Sequence, residues 1–478
     1  LRPKERTMSA CATLRHLAVE PAAHLVRPKA RLQPIQASAG TPSVDLARVA
    51  ADIADVATLA PTIVVENPQH WERVVRGLPK DIDGILLLSI PAYPTEVWNS
   101  HPQALVDRKL PVVFWCLPEY DEPDFWRWSA RDMLESLGIS VHLVDSRRHG
   151  LALLRLLAVK RQLNGSTLAV FGVQNFPWNA HAAGAHMERA LGIKVQVHDL
   201  DPIREHGARI SDAEALEFWK ARSPRYRENG VSKSGLMTAI KTWLAIRKVL
   251  VDTKALGFGV NCFGDLIPRG HREVPCLAQV LAREEGYLAA CDGDFCCLSS
   301  MAVMTHLTGR TCTMSNLYPV SYVGALGSHF GDPLSPDPAR FARSEWANIG
   351  RLAHCGFAGV VSPEVAGGPV DLRDWGGTYE IKRDGRGCGV DGKMPPGPIT
   401  AVEVKFDGKT LLAASGEVIE TTEHPGMPHC EKSVLLRFRD LPGFVKNISR
   451  EHPAIVYGDH IEDLKVAAPV LGMNLQVY

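Results

Sequence analysis

The sequence predicts an α/β protein with two doubly wound parallel-sheet domains and a C-terminal domain carrying an antiparallel β sheet or small barrel. Three observations predict it. Apolar runs alternate with helical stretches from Asp45 to about residue 160. A second strand–turn–helix–strand block opens at Asn164-Gly165. Beyond about residue 330, alternating segments are parted by Gly/Pro turns. The 478 residues exceed one hydrophobic core, and a prior of about 150 residues per domain gives about three. The expected partition is an N-terminal extension over 1–44, α/β domains over 45–160 and 161–310, and a β-rich domain over 311–478.

In the first block, Thr62-Ile-Val-Val65, Ile85-Leu-Leu-Leu-Ser89 and Val112-Val-Phe-Trp115 are short apolar runs of the kind buried on both faces of a parallel sheet. Helical stretches such as Ser129 to Leu137 lie between and after them. In the second block, Thr167 to Phe171 reads as a strand running into Gly172. A helix over Trp178 to Leu191 and a strand over Lys194 to His198 follow. No full G-x-G-x-x-G accompanies this turn, so no dinucleotide site is expected. Residues 212–255 read as helical and partly exposed, with Leu236, Ile240, Leu244 and Val249 as a core-facing stripe. Further on, Thr400 to Lys405 and Ser433 to Phe438 alternate as strands do. Ala454 to Tyr457 and Ile461 to Leu471 return to strand and helix.

Composition argues against several classes of function. Lys plus Arg equals Asp plus Glu, which gives no support to a nucleic-acid partner, since that would favour a basic face. No apolar run reaches the ~18 residues that cross a bilayer. The eleven cysteines form no Cys-x-x-Cys pair, which argues against structural zinc and for buried thiols in a reducing, cytoplasmic compartment. From Met8 to Gly40 there are Arg15, Arg27, Lys29 and Arg31 but one acid, Glu20. That is the composition of an organellar transit segment or of a disordered extension.

The stretch Tyr287 to Tyr318 carries the chemistry. Tyr287 to Cys291 fits a buried strand, Asp294 sits at a helix N-cap, and Phe295 to His306 reads as a buried helix ended by Gly309. Thr311 to Ser315 is then the next strand of a βαβ unit. Asp292 and Asn316 follow the carboxyl ends of the two strands. If those strands are neighbours about 4.8 Å apart, the two side chains converge on one spot. Asp292-Gly-Asp294 resembles the metal motif of nucleotide-sugar transferases, but nothing else in the chain suggests a nucleotide site.

These motifs resemble the L-fucose isomerase branch of the fucose/arabinose isomerase family. "ACDGD", the helix, "HLTG" and "TMSN" fall in the family's order. "EHPAIVYGDHIEDLKVAAPVLGM" is similar to its C-terminal histidine motif. "LPVVFWCLPE", "RLAHCGFAG" and "PPGPITAVEV" agree in texture, so the resemblance spans roughly residues 80–478. It implies a metal-dependent aldose–ketose isomerase acting on a monosaccharide through a cis-enediol. Asp292, Asn316 and His452 would be the ligands of Mn²⁺ or another divalent cation, with Asp292 and Asn316 at the catalytic positions. It also implies a homo-oligomer, a trimer or hexamer.

Two positions depart from the family. Asp292 replaces a Glu and shortens its reach by one methylene. Asn316 replaces an Asp, and an amide can offer its oxygen to a metal but cannot act as a base. Asp292 would then be the proton shuttle, and Asp294, His354, His329 and Asp265 are candidates to compensate. The lost base also keeps open a different metal/enediol reaction on the same fold, or a non-catalytic sugar-binding role.

Overall fold

A computed structural model of the chain describes residues 25, 28–37, 45–88, 102–115, 117, 126–267, 274–332, 334–354, 357–374, 387–424 and 431–478. They fall into two compact units, Arg27–Asn164 with Asp463–Gly472, and Gly165–Glu462 with Met473–Tyr478. The architecture is α/β, with two parallel sheets and a curled antiparallel one.

The first unit is built on β1 (Ala30–Ala37), β2 (Ala57–Leu59), β3 (Ile63–Val65), β4 (Gly84–Leu87), β5 (Val112–Trp115) and β6 (Val141–Val144). Among the described residues the order is β2-β1-β4-β5-β6, with β3 also on β1, and every pairing is parallel. The chain leaves β1 in both directions, as a doubly wound sheet does. Here the expectation of an extension reaching residue 44 is corrected, because residues 30–37 form the inner strand. Ala30, Leu32, Ile35 and Ala37 are buried. Gln33 and Pro34 interrupt the apolar run and hide the strand from a pattern search. Gln33 Nε2 donates to the carbonyls of Pro34 and Pro61 at 3.0 and 2.7 Å, which is how an amide tolerates burial there. Residues 1–24 lie outside the described residues.

The second unit opens with β7 (Thr167–Phe171), β8 (Lys194–His198), β9 (Tyr226–Glu228), β10 (Gly257–Val260) and β11 (Leu288–Cys291). The order β11-β10-β7-β8 is parallel throughout, and β9 lies in a separate small sheet. The direction of winding reverses between β7 and β10, the place where open α/β sheets bind ligands at the strands' carboxyl ends.

The remaining strands are β12 (Thr313–Met314), β13 (Asn316–Pro319), β14 (Ile349–Ala353), β15 (Val370–Asp374), β16 (Cys388–Asp391), β17 (Gly397–Val404), β18 (Thr410–Glu423), β19 (Lys432–Phe438), β20 (Ala454–Tyr457) and β21 (Asn474–Val477). The antiparallel sheet runs β12-β20-β17-β18-β19-β14-β13, with β21 parallel to β18. Its first and last members are consecutive in the chain, parted only by Ser315, so the sheet curls back until one bent strand joins both edges. Leu317 N–H donates to Glu451 C=O at 2.9 Å across that closure. Leu317, Leu352, Ile399, Ala401, Leu412, Val434, Leu436 and Ile455 pack together in its apolar core.

This arrangement corrects one expectation. The strand before Asp292 and the strand before Asn316 are not neighbours in one sheet, since β11 edges the parallel sheet while β12 and β13 belong to the curled one. They still pass close to each other. The Cys291 N–H, at the open edge of β11, donates to the Met314 Sδ at 3.1 Å. Between them runs the helix Phe295–Thr308, buried on almost every face, capped by Asp294 and stopped at Gly309 with φ 76°. Ser300 Oγ accepts the N–H of Val404 at 2.8 Å and pins this helix to the end of β17.

Candidate metal centre

Three side chains from distant parts of the chain meet in the second unit. Asp292 follows β11, His354 follows β14, and His452 precedes β20. Their ligating atoms all lie within 4.8 Å of one another, and the residues are 8 %, 5 % and 1 % exposed. Asp292 Oδ2 stands 3.5 Å from His354 Nε2 and 3.8 Å from His452 Nε2. Two donors each about 2.1 Å from a single ion are at most about 4.2 Å apart, so both separations suit a shared ion.

Local structure explains how each side chain arrives. Asp292 has φ 53° and Gly293 φ 65°, two left-handed residues in succession that turn the chain off the strand. An aspartate tolerates that conformation better than most residues, at a cost of about 1–2 kcal/mol. The turned-out Asp292 carbonyl is held by Trp178 Nε1 and Asn179 Nδ2, each at 3.1 Å. β10 passes so near that a Cβ on Gly259 would lie 3.0 Å from Gly293 Cα. His354 is fixed by its backbone, whose N–H and C=O bond Phe357 at 2.9 and 3.1 Å. Neither of its ring nitrogens has a hydrogen-bond partner among the described residues, so the nitrogen that bears no proton is left for a ligand.

His452 is oriented by a buried polar chain. Its Nδ1 lies 3.1 Å from Asp294 Oδ2, an arrangement that leaves Nε2 facing Asp292. A carboxylate behind an imidazole in this way fixes the tautomer that binds metal. The same Asp294 oxygen accepts Arg450 Nε at 2.9 Å, and Arg450 Nη1 reaches Glu403 Oε1 at 3.4 Å and Val404 C=O at 3.1 Å. Asp294 Oδ1 meanwhile caps the helix through Cys297 N–H at 2.7 Å. One aspartate therefore starts a helix, pairs a buried arginine and orients a histidine.

Electrostatics favour charge at the centre. Burial opposes ionisation of Asp292, but the facing His354 and His452 and a Cys262 thiol 3.4 Å from Oδ1 outweigh it and hold the carboxyl below its usual range. Burial likewise opposes a charged His452, yet the bond and charge of Asp294, then the charge of Asp292, hold the imidazole above its usual value. A metal ion would take the place of that proton. One carboxylate oxygen and two imidazole nitrogens, all buried and one of the imidazoles oriented from behind by a carboxylate, fit a divalent cation. An apolar cavity with an empty volume of about 420 Å³, part of it open to solvent, adjoins the centre. His354, Cys262, Cys291, Phe357 and Val360 help line it.

Of the expected residues, Asp292 and His452 are brought together, with His354 of the compensating candidates as the third member. Asn316 opens β13 opposite Ala353, the residue before His354. Its Nδ2 donates to the Tyr318 hydroxyl at 2.9 Å, and its Oδ1 is buried with no hydrogen-bond partner among the described residues. Asp294 supports the centre from behind. Asp265 accepts Val173 N–H at 2.8 Å and stands outside the Asp/His/His group. His329 lies in the helix Val323–Phe330, with its side chain outside the described residues. Sequence reasoning missed Arg450, Glu403 and Trp178. An arginine two residues before His452, and a glutamate at an alternating position of a buried strand, were the available signals.

The described cysteines are free and buried. No helix among the described residues is long and apolar enough to cross a membrane. No protein-family model and no curated protein matches the chain.

Proposed function

We propose that the chain is a metal-dependent aldose–ketose isomerase acting on a monosaccharide, with Mn²⁺ or a similar divalent ion held by Asp292, His354 and His452. The observation that carries this reading is the convergence of those three buried donors at the carboxyl end of a parallel sheet. When bound, the metal supplies Lewis acidity to the sugar's carbonyl and neighbouring hydroxyl oxygens. Asp292, the one carboxylate in the group, moves the proton between C1 and C2 of the cis-enediol. Asp294 keeps the His452 ring turned toward the centre, and the unpartnered Oδ1 of Asn316 takes a sugar hydroxyl or completes the ligand set. By resemblance to the family, the assembly is a homo-trimer or hexamer.

Metal analysis of the purified protein, with an aldose-to-ketose assay in D₂O across pentoses and 6-deoxyhexoses, tests the proposal. Bound metal with turnover, and solvent deuterium in the product, is expected. His452→Gln should lose the metal and the turnover together. The amide at position 316 favours a second reading, in which the fold runs a different metal/enediol reaction or only binds sugar. Metal without turnover, together with isomerase activity gained in Asn316→Asp, would establish a repurposed centre.

A further inference from the structure

Beside the metal centre lies an aromatic pair that the ligand chemistry does not use. Phe176 and Trp178 stack with ring centroids 4.5 Å apart and planes 16° from parallel. They sit in the loop after β7, where the winding of the parallel sheet reverses. Both are half-buried. The Trp178 ring meets His452 edge-on, with centroids 5.3 Å apart and planes at 68°, and its Nε1 is committed to the Asp292 carbonyl. Trp178 thus touches two of the three metal-binding residues while offering no free hydrogen-bond donor. What the pair presents is π surface.

The loop is built to hold that surface still. Pro177 stiffens the turn between the two rings. Phe176 N–H donates to the fully buried Asn179 Oδ1 at 3.0 Å, and Asn179 Nδ2 reaches the Asp292 carbonyl. The loop and the metal-binding aspartate are therefore one hydrogen-bonded unit. Aromatic rings kept half in water at a rigid site favour a ligand with an apolar face, since covering them returns the hydrophobic term without further ordering.

We propose that Phe176 and Trp178 form the specificity wall of this centre, a fixed π surface against which the C–H face of a polyhydroxylated ligand packs while its oxygens reach the metal. The C–H bonds carry the slight positive charge that an aromatic face attracts. The ligand class rests on the isomerase reading above; the platform itself does not need the chemistry. Among the described residues no hydrogen bond or ring contact joins Phe176 to Asp292 or His452, which makes it the clean position to test.

The test is calorimetric titration of the Mn²⁺-loaded full chain with L-arabinitol and L-fucitol, alditols that cannot isomerise. Phe176→Leu should bind the alditols about tenfold more weakly with its metal content unchanged. Phe176→Tyr should restore wild-type binding. In turnover assays, the loss from Phe176→Leu should fall on KM rather than on kcat. A Phe176→Leu protein that keeps its metal and binds both alditols as wild type does overturns the proposal. So does wild-type protein that binds neither alditol at millimolar concentration. Alditol binding that Phe176→Leu weakens, without any isomerase turnover, supports the wall and rejects the isomerase reading alone.

Discussion

At the scale of single residues, the chemistry depends on how buried charges are shared. Asp294 is the clearest case, because its two oxygens serve the helix, Arg450 and His452 together. Asp294→Asn keeps a good helix cap but gives up the charge behind the imidazole. Titration with Mn²⁺ should show about 10–100-fold weaker binding. The variant should also lose stability, since the buried Arg450 would be left with Glu403, at 3.4 Å, as its one remaining carboxylate among the described residues. His142 gives an independent test in the first unit. Burial, then the charges of His149 and Lys160, push its imidazole down to about 4. The unfolded histidine titrates near 6.5, so between those values the unfolded chain holds the extra proton. Its contribution is full above about pH 6.5 and is lost as the pH falls through the window, amounting to about 3 kcal/mol at most. Urea denaturation from pH 7 to pH 4 should show that loss in the wild type, and His142→Gln should flatten it.

At the scale of elements, the strand and helix patterns were legible wherever one physical rule dominated. Val112–Trp115, Lys194–His198, Ala454–Tyr457 and Ile461–Leu471 fall where the apolar periodicity puts them. Asp294 and Gly309 bound their helix as cap chemistry requires. The pattern failed at β1, where a glutamine and a proline interrupt an inner strand whose burial only tertiary contacts reveal. It also failed at Trp178, taken for a helix start, where the chain makes a short 3₁₀ turn over Pro177–Asn179 before the helix His181–Leu191. The proline fixes that turn and the buried Asn179 locks it. Element ends suggest one stabilising change. The long helix Lys233–Thr253 ends at Lys254, held at φ 52° while its N–H bonds Leu250 and Val251. Lys254→Gly relieves a left-handed side chain, partly offset by greater freedom in the unfolded chain. A gain of about 0.5–1 kcal/mol is expected in thermal melts.

At the scale of the whole molecule, the three-donor centre was legible only in outline. Asp292 and His452 could be named because their flanking motifs are distinctive, and His354 could be offered only as a candidate. Nothing local to His354 marks it, since it joins the group through the curl of the antiparallel sheet. The expected geometry, two neighbouring parallel strands, was wrong even though Asp292 and Asn316 were placed near the right strand ends. Pairing partners in a sheet are set by long-range contacts, and a single sequence does not carry them. The way that sheet closes has a consequence for synthesis. The bent strand around Ser315 leaves the ribosome well over a hundred residues before its partner β20. A nascent chain therefore holds two metal-binding side chains in waiting, and a product arrested before His452 has neither a finished ring of strands nor the last imidazole. Metal capture would thus report translation past His452, and chaperones would meet an open-edged intermediate while the residues between Ser315 and β20 are being made.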